Sequence, residues 1–157
     1  MSTERLARAV FALLVVASFA AFAVTQRLKH TPPAVQSFEM DTSFAPTRAP
    51  AATCRGRVPA AEVNATKRVE YLSFKPASAD LATVAIVDSA GGEVATIARD
   101  LPVQRYKQVS LCWNGHRGPR QAGPLAPPGE YRLRVHLRHE SQARYSPGSF
   151  TLERAGR

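Results

Sequence analysis

Apolar residues follow two rhythms along this chain, and the change between them divides it. Between Arg8 and Arg27 the run Ala9 to Gln26 carries no charge. Within it Val10, Phe11, Leu13, Leu14, Val15, Val16, Phe19, Phe22 and Val24 leave no polar stripe. A helix packed on a core keeps one polar face, so this run predicts a helix that meets apolar surroundings on every side. At about 1.5 Å per residue it nearly crosses a hydrocarbon layer of roughly 30 Å, which predicts one transmembrane helix over 9–26 behind a short tail at 1–8.

A cleaved signal peptide is the competing reading. Arg5 and Arg8 form a basic start, and Ala21-Phe22-Ala23 fits the small-x-small cleavage pattern. The apolar run continues through that site to Val24 before reaching Arg27 and Lys29, which favours retention. Arg5 and Arg8 on one side balance Arg27 and Lys29 on the other, so charge alone does not orient it. A short cytoplasmic tail with the polar domain outside is the simplest arrangement; the alternative is secretion after cleavage near Ala23.

Pro32, Pro33, Pro46, Pro50 and Pro59 then interrupt the backbone, and residues 27–66 read as a Pro/Ala-rich linker. Inside it Phe38, Met40 and Phe44 alternate with polar residues, so Ser37 to Phe44 is a candidate added strand.

From 67 to 154 the rhythm shortens to period two, with turn residues between runs. Glu70 to Lys75 puts Leu72 and Phe74 on one face, and Pro76 ends the run. In Ala82 to Asp88, Val84 and Ile86 oppose Thr83, Ala85 and Val87; Asp88-Ser89-Ala90-Gly91-Gly92 predicts a tight hairpin returning through Glu93 to Ala98. Lys107 to Trp113 alternates again, turning Cys112 away from the core that Val109, Leu111 and Trp113 face. After a Gly/Pro-rich loop over 114–129, Tyr131, Leu133, Val135 and Leu137 alternate with Arg132, Arg134, His136 and Arg138. Gly148 to Glu153 forms a last strand. No helical period appears after Gln26, so the domain reads as an all-β, antiparallel β-sandwich.

Charge changes this picture only modestly. The chain has a formal charge of +9, and from Ala52 onward sixteen Lys or Arg stand against nine Asp or Glu, spread along the domain. Attraction to anionic surfaces follows; the identity of a partner does not. Arg132, Arg134 and Arg138 are the sharpest candidates, an anion-binding row for lipid headgroups or an acidic cell-surface polymer. Nucleic acid is not expected, because no aromatic platform interleaves these charges. Two cysteines, Cys54 and Cys112, permit one disulfide in an exported domain and have no metal-ligand spacing.

Three strings occur in order: Val84-Ala85-Ile86-Val87-Asp88-Ser89-Ala90-Gly91-Gly92-Glu93-Val94, Cys112-Trp113-Asn114-Gly115, and Pro127-Pro128-Gly129-Glu130-Tyr131. Together they resemble the FlgD/Vpr Ig-like domain family, known by a V-x-I-x-D-x-x-G-x-x-V hairpin, a W-D/N-G turn and a P-P-G-x-Y strand entry. The resemblance covers about residues 68–153. It implies an Ig-like sandwich in which Gly91 or Gly92 turns the hairpin, Trp113 fills the core and Gly129 admits the turn before Tyr131. It also implies an accessory module with a structural or protein-binding role in a cell envelope, its partner unspecified.

Catalytic chemistry has little purchase on this sequence. There is no phosphate loop or paired-carboxylate signature, and His136 and His139 fall on opposite faces of a strand. No enzyme, cofactor or metal is expected.

Overall fold

The computed structural model describes residues 3–29, 33–46 and 69–154, with helix side chains described at Arg8 and from Val10 to Gln26. The chain divides into two units, Met1–Pro33 and Ala34–Arg157.

The first unit is one helix, α1 (Thr3–Lys29). Its only hydroxyls in the uncharged run turn inward: Ser18 Oγ donates to the Leu14 carbonyl at 2.9 Å and Thr25 Oγ1 to the Ala21 carbonyl at 2.7 Å. The apolar side chains point outward, with Phe11, Leu13 and Phe19 at 71%, 71% and 72% exposure. Among the described residues no helix is long and apolar enough to cross a membrane.

The second unit is built from strands: β1 (Val35–Met40), β2 (Ser43–Phe44), β3 (Glu70–Pro76), β4 (Asp80–Asp88), β5 (Glu93–Val103), β6 (Val109–Trp113), β7 (Gly118–Pro119), β8 (Gly129–Leu137), β9 (Arg144–Tyr145) and β10 (Phe150–Leu152). One sheet has the order β1-β3-β6; the other runs β2-β10-β8-β4-β5-β7, with β9 also on β8. The pairing is antiparallel as expected except at β10–β2 and β5–β7, two short parallel contacts. Leu72, Phe74, Leu111 and Trp113 of the first sheet and Val84, Ile86, Leu133 and Val135 of the second belong to one apolar cluster. Period-two burial from both sheets therefore feeds a single core.

An aromatic group closes this core. Trp113 is fully buried, with its ring centroid 5.1 Å from Tyr131, 5.6 Å from Phe44 and 5.8 Å from Phe150. Its indole N–H donates to the His116 carbonyl at 2.8 Å, and the Tyr131 hydroxyl donates to the Pro127 carbonyl, so both polar tips are satisfied.

Phe44 reaches that group from the stretch 27–66 read as linker, which needs correcting. Residues 35–44 are fold, because alternation of Phe38, Met40 and Phe44 suits an edge strand. β1 pairs with β3 from Met40↔Leu72 to Val35↔Pro76. The chain then crosses at Asp41 and Thr42 to the other sheet, where β2 pairs with β10 and the Phe44 carbonyl accepts from Glu153 N at 2.9 Å. This strap ties the two sheets together.

The β4–β5 hairpin forms where its turn residues predict. Asp88 Oδ1 accepts from Ala90 N at 3.0 Å and Gly92 N at 2.8 Å, while Gly91 takes φ +84°. A Cβ on Gly91 would meet nothing within 4 Å, so Gly91→Ala tests backbone conformation alone. It should cost about 1–2 kcal/mol in urea unfolding, while Gly148→Ala, also in open space without a positive φ, should cost nearly nothing. Equal effects at the two sites would contradict this account.

Four local expectations change. β5 continues beyond Ala98 to Val103 through a register shift, with Asp100 at φ +49°. β6 begins at Val109, leaving Lys107 and Gln108 exposed. Gly129 opens β8 without a positive φ; in the preceding loop Gly115 and Gly118 take that conformation instead. Ala85 and Val87 are 1% exposed although they face away from the common core, because Arg134 and Arg132 stand opposite them on β8.

Candidate functional site

The arginine row on and just beyond β8 is the main chemical candidate, and its members are already engaged. Arg132 Nε donates to the Ser146 carbonyl at 3.1 Å, its Nη2 shares that acceptor, and its guanidinium carbon lies 5.8 Å from the centre of the Tyr145 ring. Arg134 pairs with Glu93, whose other carboxylate oxygen accepts from Thr96 Oγ1. The Thr96 hydrogen bond first, then Arg134, holds the Glu93 carboxyl below its usual pKa. Arg138 lies just past the end of β8 and pairs with Asp100 at 2.7 Å, both side chains more than half exposed. So β8 presents Arg132 and Arg134 on one face, but each of the three guanidinium groups has an internal acceptor. The row fastens neighbouring segments more than it offers a free cationic strip.

Beside Arg132 lies a cleft of about 280 Å³ lined by Ser89, Glu130, Arg132, Pro147, Gly148 and Ser149. Its single acid and single base, with Arg132 already bound to Ser146, give it mixed polarity.

His136 lies on β8, whereas His139 lies in the turn past its end at Leu137, so the two are separated by that turn and not by opposite faces of one strand. His136 Nε2 contacts the Glu140 carbonyl at 3.2 Å, while His139 Nδ1 contacts Asp80 Oδ1 at 2.7 Å. Asp80 also accepts from the backbone N–H groups of Leu81 and His139. Burial would raise its pKa, but those hydrogen bonds and His139 together hold it below the usual value. Among the described residues, no three His, Cys, Asp or Glu side chains gather as metal ligands do.

Cys112 is 3% exposed, outside the apolar cluster that holds Leu111 and Trp113, and is not a free thiol. That agrees with its predicted outward side of β6. Cys54, the predicted partner, lies outside the described residues.

Sequence reasoning missed two buried polar features. In the loop after β6, Gln121 Oε1 accepts from Asn114 N and its Nε2 donates to the Cys112 carbonyl, both at 2.8 Å, while Asn114 Oδ1 accepts from His116 N at 2.9 Å. This network holds an ordered turn in what reads as an irregular Gly/Pro loop. The second feature is Glu70, fully buried opposite Trp113 on the β3–β6 ladder, with neither carboxylate oxygen hydrogen-bonded. Burial first, then the Asp41 charge, raises its pKa to about 9; interaction with the Asp41 backbone offsets only part of this. Period two places Glu70 on the Leu72–Phe74 face, but a first strand residue is ordinarily taken as solvated.

Compared with known proteins, the chain matches no family model and no curated protein.

Proposed function

We propose that this chain is a non-enzymatic Ig-like module, tethered to a membrane by α1 and presented outside the cytoplasm. Its role there is structural or protein-binding, in a cell envelope of bacterial type. The observation that carries this reading is α1 itself: the apolar side chains from Val10 to Val24 stand exposed, while its hydroxyls are satisfied within the helix. Such a surface needs an apolar solvent. The uncharged run Ala9 to Gln26 rises about 27 Å, a little short of a hydrocarbon thickness of roughly 30 Å. That shortfall agrees with the absence of a full span among the described residues. The helix continues to Thr3 and Lys29, so a short anchor and a signal segment both fit.

Three local features support the FlgD/Vpr-type reading: the Asp88-anchored hairpin, Trp113 in the common core and Tyr131 tied back to Pro127. Two facing sheets on one core suit an Ig-like sandwich. The tether is tested by expressing the full chain, separating membranes, washing them with alkaline carbonate and sequencing the mature N-terminus. Retention in the washed membrane with residues 1–26 intact is the expected result; a start near residue 24 identifies the secreted form. An intact chain found wholly in the soluble fraction would sink the proposal. Crosslinking followed by mass spectrometry should then recover a specific protein partner.

A further inference from the structure

The chain enters the second unit at Ala34, whose carbonyl accepts from Ala77 N at 2.9 Å; next to it Pro76 O accepts from Tyr106 N at 2.8 Å. The turn between β5 and β6 therefore lies at the end of the domain where the chain arrives. That turn, Gln104-Arg105-Tyr106-Lys107-Gln108, is exposed at every residue. Lys75 of β3 adjoins it through Pro76; no Asp or Glu occurs from Leu101 to Gly129, and Glu39 of β1, which accepts from Gln108 Nε2 at 2.8 Å, is the acid that reaches the turn's far end. Unlike the β8 row, Lys75, Arg105 and Lys107 form no ion pair among the described residues.

Tyr106 is the second observation. It holds φ +59°, a left-handed conformation that Gly or Asn adopts more cheaply, yet its side chain is 44% exposed. Arg105 lies over its ring, 4.6 Å from the centroid, and donates to its hydroxyl at 2.9 Å. The left-handed backbone thus presents an amphipathic aromatic ring among cations that form no ion pair among the described residues. That combination suits the boundary between water and acyl chains, where Tyr concentrates and each cation gains from anionic headgroups.

We propose that the Lys75, Arg105, Tyr106 and Lys107 end docks on the surface of a bilayer bearing anionic headgroups. This rests on the tether reading, because only residues 30–33 separate α1 from Ala34. Charge complementarity supplies the attraction.

The test uses the full chain in vesicles of phosphatidylcholine, with or without phosphatidylglycerol, treated with a water-soluble amine-acylating reagent and read by mass spectrometry. Acylation of Lys107 and Lys75 should slow several-fold on the anionic vesicles, and raised salt should restore the rate. The double variant Arg105→Gln, Tyr106→Ser should float with the vesicles yet lose the protection at Lys107. Unchanged acylation in a chain that floats overturns the docking and leaves the tether standing. A chain that does not float removes the tether, and the docking with it. Equal protection by a soluble polyanion on phosphatidylcholine vesicles would overturn the bilayer as the occupant.

Discussion

Trp113→Ala should lower the unfolding free energy of the domain by about 3–5 kcal/mol, a large part of the roughly 5–15 kcal/mol typical of a folded protein. The residue is fully buried and touches aromatic rings from the strap, β8 and β10, so no single neighbour can relax into its space. Urea unfolding followed by far-ultraviolet circular dichroism measures the loss, since the substitution removes the only tryptophan. Trp113→Phe keeps much of the volume and gives up the hydrogen bond to His116, so its cost should be the smaller of the two. A loss below about 1 kcal/mol for the alanine variant would place Trp113 outside a packed core.

Stability should also fall as pH rises, through Glu70. Its folded-state pKa of about 9 lies above the ordinary 4.5, so the unfolded chain releases this proton first. The contribution is fully present below about pH 4.5 and is lost as pH climbs toward 9, with a slope on the order of 1 kcal/mol per pH unit. Glu70→Gln keeps the shape and cannot ionise. The variant should lose this slope and, near pH 8, be more stable than the parent by on the order of 3 kcal/mol, a hundredfold or more in the unfolding equilibrium. Urea midpoints for both proteins across that range decide it, because every other ionisable group is common to the two. Parallel curves would mean that the carboxylate has found water or a cation on ionising.

Much of the fold was legible because alternation is a local signal. Val84 and Ile86 against Thr83, and the DSAGG turn, fix β4, the hairpin and its core face without reference to anything distant. What escaped depends on neighbours that sequence does not name. Ala85 and Val87 look like a solvent face until Arg132 and Arg134 are brought opposite them, and the arginine row looks free until Glu93, Asp100 and Ser146 arrive from other segments. Glu70 looks like a solvated strand start until Asp41 and Trp113 close around it. Tyr106 could not be singled out because a left-handed tyrosine leaves no composition signal.

The strap has a bearing on where the module may be cut. Hydropathy invites a boundary near residue 67, ahead of the first strong β pattern, and a fragment trimmed there would look complete by composition. It would lack the edge strand beside β3, the short strand beside β10 and the Phe44 ring against Trp113. Both sheets would be left with raw borders and the core with an unfilled corner. The portable unit therefore starts at Ala34, and processing near Ala23 leaves the same grafting unit as retention of the whole helix.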